Sequence, residues 1–161
     1  MAASSASLDN FDRNILEIVQ QSNRTTSEQI AEQVGLSPAA VQRRLKRLRE
    51  QNVIQADVSV INPSAVGLGM TMIVQISLER ERSDLMESFK KELIESPYVQ
   101  QCYYVTGGTD FVLVVTASDM TAYEQFTHDM FFNNPNVKTF QTNVVMDPVK
   151  VGLTIPTKDT I

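Results

Sequence analysis

Two short stretches carry the residue types from which a binding site can be made. The first is Val105–Val115, VTGGTDFVLVV. Gly107 and Gly108 can expose backbone N–H groups to an anion such as an α-carboxylate. Asp110 offers a carboxylate to an α-ammonium. One loop would thus complement both ends of a free amino acid. The same residues also make a hairpin, because primed turns want residues that accept positive φ, and Thr109 and Asp110 are then ordinary turn residues. On the residues alone both readings stand, and glycine turns are the commoner.

The second stretch is SPAAVQRRLKRLREQNVI, which opens at Ser37. Arg43, Arg44, Lys46, Arg47 and Arg49 crowd into two turns of it. The whole chain of 161 residues carries a net charge of −5, which argues against nucleic acid only until the charge is divided. Residues 1–61 hold 7 Lys/Arg against 7 Asp/Glu, and residues 62–161 hold 7 against 12. A basic patch on one element, rather than whole-chain charge, is the electrostatic footprint of a nucleic-acid binder.

Other chemistry is poorly represented. His128 is the only histidine, so neither a zinc site nor a Ser-His-Asp triad can be assembled around a histidine pair or a marked partner. Cys102 is the only cysteine, lies mid-strand, reads as buried packing and permits no intrachain disulfide. Neither a P-loop nor a dinucleotide-binding glycine pattern is present. An enzyme survives only as a reading in which Asp110 and an acid such as Asp147 form a carboxylate pair. No cofactor and no metal are expected. No apolar run approaches the ~18 residues that span a bilayer, and MAASSAS has neither the basic nor the apolar region of a signal peptide. A cytoplasmic, nucleoid-associated protein without membrane contact is expected.

Three helices should position the basic stretch. SLDNFDRNILEIVQQS places apolar residues at 8, 11, 15, 16 and 19, with Asp9 and Asp12 where the helix dipole favours acids. TTSEQIAEQVG is a shorter helix, with Thr25 and Glu28 or Thr26 and Gln29 as a capping box and Gly35 as its stop. After a tight turn, Ser37 is a strong N-cap and Pro38 suits the first helical position. Val41, Leu45 and Leu48 then form one buried seam, and Ala39, Gln42, Arg43, Lys46 and Arg47 point away from it. This is the helix-turn-helix arrangement, in which the second helix enters the major groove. Ala39 permits close approach, Gln42 and Arg43 can donate to base edges, and Lys46 and Arg47 suit phosphates. The competing reading is a solvated basic face on an ordinary three-helix bundle. Ile54, Ala56, Val58 and Val60 alternate, which predicts an extended strand in a winged or linking segment.

The glycine–acid loop belongs to a second pattern. MTMIVQISLE alternates as a half-buried strand; Ser83 can cap a helix carrying Leu85, Met86, Phe89 and Leu93; YVQQCYYV and DFVLVVTA are strands. A second helix places Met120, Tyr123, Phe126 and Met130 on a seam, and NVKTFQTNVVMDPV closes as a strand. The order β-α-β-β-α-β predicts a four-stranded antiparallel sheet with two helices on one face, the ferredoxin-like arrangement. Strands such as Phe111–Val115 are apolar on both faces, so the uncovered face should pack on a partner, most simply a second copy. The fold class is therefore α+β. The domains are expected at 1–61 and 70–150, with a linker at 62–69 and a tail at 151–161.

Together these patterns resemble the Lrp/AsnC (leucine-responsive/asparagine-responsive, feast/famine) family of regulators. The resemblance lies in LDNFDRNIL, in AEQVGLSPAAVQRRLKRLREQNVI, in VTGGTDFVLVV and in VVMDPVK, over roughly residues 8–150. It implies a winged helix-turn-helix joined to a ferredoxin-like amino-acid-sensing domain, and dimers through the sheet faces that assemble to octamers. It also implies an effector, an amino acid, held near Gly107, Gly108, Thr109 and Asp110, with Gln141 and Thr142 of the last strand as further candidates. The expected DNA-binding residues are Ser37, Ala39, Gln42, Arg43, Lys46 and Arg47, on a pseudo-palindromic duplex site with half-sites about 34 Å apart. An effector-independent architectural DNA-binding protein is the alternative. Asn52 stands where the family usually has glycine, and since Asn tolerates the left-handed conformation the helix stop should survive. Gly108 and Thr109 are smaller than the residues often found there, which leaves room for a ligand side chain.

Overall fold

Helix α1 (Asn10–Gln21) begins where two acids cap each other. Asp12 N–H donates to Asp9 Oδ1 at 2.8 Å, and Asp9 N–H donates to Asp12 Oδ2 at 3.2 Å. In the computed structural model, which describes residues 7–80 and 82–157, helix α2 (Ser27–Val34) uses Thr26 and Gln29 as its capping box. Thr25, the other candidate, donates its hydroxyl to Ser22 O. Gly35 stops α2 with φ 72°, and α3 (Pro38–Glu50) starts two residues later. Asn52 follows α3 at φ 56°, so the left-handed stop does survive without glycine. Ile15, Ile30, Ala31, Val41 and Leu45 form the buried core of these helices. MAASSAS, apart from its last residue, and residues 158–161 of the tail lie outside the described residues.

The strand expected from Ile54 to Val60 does not form. Residues 55–62 have no regular secondary structure, and Val58, Val60 and Ile61 are exposed. Alternation marks a chain that could line a sheet; a strand also needs a neighbour to take its backbone N–H and C=O groups. One side-chain tie holds this arm: Arg49 Nε and Nη2 donate to Asp57 at 2.8 and 3.2 Å.

The second unit, Val60–Val149, is a single sheet with helices. After a 3₁₀ turn at Pro63–Val66 come β1 (Met70–Leu78), α4 (Ser83–Glu95), β2 (Val99–Tyr104), β3 (Phe111–Ala117), α5 (Met120–Thr127), a π-helical turn (His128–Phe132) and β4 (Val137–Val144). Strands lie in the order β2-β3-β1-β4, all antiparallel. Alternate residues of β1 (Met72, Val74, Ile76, Leu78) and of β3 (Phe111, Leu113, Val115, Ala117) are buried with Met86, Phe89, Leu93, Tyr123, Phe126 and Phe131 of the helical segments. Ser83 is the first residue of α4 rather than its cap; Arg82 holds the cap position without a side-chain bond. Met120, placed on the α5 seam by spacing, is half-exposed at the helix start. The opposite face of the sheet carries Ile73, Val112, Val114 and Tyr103 among polar residues. The first unit contains the described residues up to Ser59 and those from Lys150 onward. No helix among the described residues is long and apolar enough to cross a membrane.

Candidate DNA-binding and ligand-binding sites

The five basic residues of α3 do not share one role. Arg44 donates to Asp9 at 2.8 Å and to Asp12 at 2.7 Å, and its guanidinium lies 5.4 Å from the centre of the Phe11 ring. Arg47 donates to the other oxygen of Asp12 at 2.5 Å. Asp12 is 1% exposed and is bracketed by these two guanidiniums. The backbone N–H of Asp12 and the Arg44 guanidinium hold the Asp9 carboxyl below the usual range, and Asp12 and Asp9 raise the already high Arg44 value. Arg49 is engaged by Asp57, which it holds below the usual carboxylate range. Arg47, expected to reach phosphates, is thus turned to the first helix, with its Nε buried and without a hydrogen bond among the described residues.

The remaining face is different. Ala39, Gln42, Arg43 and Lys46 are exposed on the side of α3 away from the Val41, Leu45 and Leu48 seam. Lys46 makes a loose exposed pair with Glu50 at 3.7 Å, and Arg43 has no ion pair among the described residues. Ser37, also expected at the DNA, spends its hydroxyl as the N-cap, accepting from Ala40 N–H at 3.2 Å. A hollow of about 300 Å³ between these faces is lined by Leu36, Ala40, Arg43, Arg44 and Arg47.

The glycine–acid loop joins β2 to β3. Val105 N–H donates to Asp110 O at 2.9 Å and closes the hairpin around residues 106–109. Only Gly107 has positive φ, at 140°, so this is not a primed two-residue turn of Gly107 and Gly108. The reason lies in neighbouring β1. Thr109 donates its hydroxyl to Ile76 O at 2.6 Å, Asp110 N–H donates to the same carbonyl at 2.9 Å, and Leu78 N–H donates to Asp110 Oδ2 at 2.7 Å. These bonds draw the loop across the end of β1. A hollow of about 370 Å³ remains, lined by Tyr104, Val105, Thr106, Gly107, Thr109 and Asp110. Asp110 Oδ1 has no hydrogen bond among the described residues.

Gln141 and Thr142 do not come together in that hollow. Adjacent residues of β4 face opposite sides of the sheet. Thr142 pairs with Val74 on the helix-covered side, where its hydroxyl meets Tyr123 OH at 2.5 Å; Gln141 pairs with Gln75 on the open side. Burial pushes the Tyr123 hydroxyl up. Burial likewise pushes the Cys102 thiol up, away from nucleophile chemistry. Sequence reasoning missed Asp12 as a buried acceptor, although Asp9-x-x-Asp12 has the spacing of a reciprocal cap. It also missed Tyr104, for which a strand end gives no signal.

The fold and these two sites define a DNA-binding helix-turn-helix protein with a ferredoxin-like ligand-binding domain. Residues 8–55 match the family description "Winged helix-turn-helix DNA-binding", and residues 71–155 match "Lrp/AsnC ligand binding domain". The chain is 53% identical over 149 residues to the HTH-type transcriptional regulator y4tD of Sinorhizobium fredii, covering 92% of this chain and 88% of that protein. It is 33% identical over 143 residues to the leucine-responsive regulatory protein of Escherichia coli, covering 89% and 87%. A transcriptional regulator of Neisseria meningitidis, solved as an L-Met complex, superposes with TM-score 0.88 at 30% identity, covering 93% of this chain and 97% of that one. An AsnC family regulator of Agrobacterium tumefaciens gives 0.87 at 27%, covering 92% and 97%. The chain belongs to the Lrp/AsnC family of transcriptional regulators.

Proposed function

We propose that this regulator reads a pseudo-palindromic duplex through Ala39, Gln42, Arg43 and Lys46 of α3, and that an amino acid bound beside Gly107, Gly108, Thr109 and Asp110 modulates that binding. The observation that carries the DNA half is the division of the basic cluster. Arg44, Arg47 and Arg49 are engaged by acids, which leaves Arg43 with Gln42 beside it on an outward face where small Ala39 lets a base edge approach. Ser37 and Arg47 contribute by fixing the start and the rotation of α3. The effector half is supported by a hollow that joins exposed loop backbone to one unoccupied carboxylate oxygen. The L-Met complex of the Neisseria relative supports the ligand class. The open sheet face, with Ile73, Val112, Val114 and Tyr103, is the dimerisation surface in this reading, and dimers assemble further to an octamer.

A thermal-shift screen of the twenty amino acids tests the effector reading, since a ligand that binds only the folded state raises its apparent stability. At least one amino acid should raise the transition. Asp110→Asn should abolish that shift while leaving the unliganded transition nearly unchanged, because asparagine keeps an oxygen for Leu78 N–H and replaces the other, charged oxygen with a neutral NH2 donor. A full shift retained in Asp110→Asn removes Asp110 from the site.

A further inference from the structure

The closing segment of the chain lies on the first helix of the DNA-binding unit. Gln20 brackets the backbone of Ile155: its Nε2 donates to Ile155 O at 2.9 Å and its Oε1 accepts from Ile155 N–H at 3.0 Å. Thr157 donates its hydroxyl to Glu17 Oε2 at 2.7 Å, and Thr157 O accepts from Arg13 Nη1 at 2.9 Å. Arg13, Glu17 and Gln20 are spaced four and three residues apart, one face of a helix. Ile155 and Thr157 are two apart in an extended segment, again one face. Pro156 between them fixes φ, and no N–H is wanted there. The paired donor and acceptor on Ile155 imitate one rung of a β-ladder and set the register. The segment therefore groups with the first unit, although the match to the ligand-binding family description runs on to residue 155.

We propose that residues 150–157 form a strap that completes the DNA-binding unit by holding α1. Only residues 145–149 separate the strap from β4 of the ligand-binding domain. A displacement of β4 thereby reaches, along the chain, the helix whose Asp9 and Asp12 hold Arg44 and Arg47 of α3.

The test is hydrogen exchange of the full-length protein against two variants, Gln20→Ala and a chain ended after Gly152. The α1 amides should exchange about tenfold faster in both, the effect of losing one or two net hydrogen bonds. The β1 and β3 amides should be unchanged, and DNA affinity should fall several-fold. Unchanged α1 exchange in both variants overturns the strap. Faster α1 exchange with unaltered DNA affinity overturns its link to α3. The DNA arm rests on the DNA-binding reading of α3, but the exchange arm does not: a full-length protein without DNA affinity sinks that reading and leaves the strap to be decided by exchange alone.

Discussion

The two units of this protein are held together by different forces. Among the described residues the sheet unit buries fourteen apolar residues, while the helix-turn-helix buries six. Hydrophobic stabilisation scales with apolar area removed from water, so the small unit has much less of it. It compensates with polar devices: two reciprocal caps, a buried carboxylate between two arginines, the Arg49–Asp57 fork and the strap on α1. Charges that hold a small domain are also charges withdrawn from its ligand. The basic run of α3 is therefore mostly internal scaffolding, and fewer of its charges face outward unpaired than its composition suggests.

That contrast can be broken by substitutions in each unit. Phe89→Ala, which empties a fully buried site between α4 and β3, should destabilise the sheet unit by about 3–5 kcal/mol in urea unfolding. Asp12→Ala should cost the helix-turn-helix less, about 1–3 kcal/mol, because Arg47 and the Asp9 N–H lose their acceptor while Arg44 keeps Asp9. If Asp12→Ala proves mild, the small unit does not rest on its charge network. Arg43→Ala should leave unfolding unchanged and weaken specific DNA binding by about 1–3 kcal/mol, chiefly at one base position. An operator footprint unchanged in Arg43→Ala would remove Arg43 from base reading.

The smallest effect is on pH. The carboxyls of Asp9 and Asp57 titrate below their ordinary values in the folded state. Their contribution is present above the ordinary carboxylate value of about 4 and is lost as pH falls toward the folded values. Each is a partly exposed pair contributing about 0.2–1 kcal/mol. Thermal melts followed separately in each unit should show the helix-turn-helix weakening first below about pH 4. A sheet unit that weakens first would reverse the comparison.

The elements were largely legible because their signals are local. A capping pair, an apolar seam at i, i+4 and i+7, and a glycine or asparagine at a left-handed stop each act within a few residues, so α1 to α3 follow from spacing. The βαββαβ order is legible for the same reason, since period-2 and period-3.6 patterns alternate along the chain. The arm at residues 55–62 shows the limit: it has the alternation of a strand, but pairing depends on a partner that alternation cannot supply. What only the tertiary structure decided is how each polar side chain is used. Arg43, Arg44 and Arg47 are alike in sequence, yet Asp12, more than 30 residues away on another helix, takes two of them and leaves the third. Gln141 and Thr142 are neighbours in sequence, yet the pleat sends them to opposite faces. Thr109 and Asp110 read as free turn residues until β1 lies beside them with a carbonyl and an N–H to satisfy. Secondary structure follows from residues a few positions apart; the availability of a charge or a hydroxyl depends on groups 30 or more positions away, which fold to hydrogen-bond distance only when the core closes.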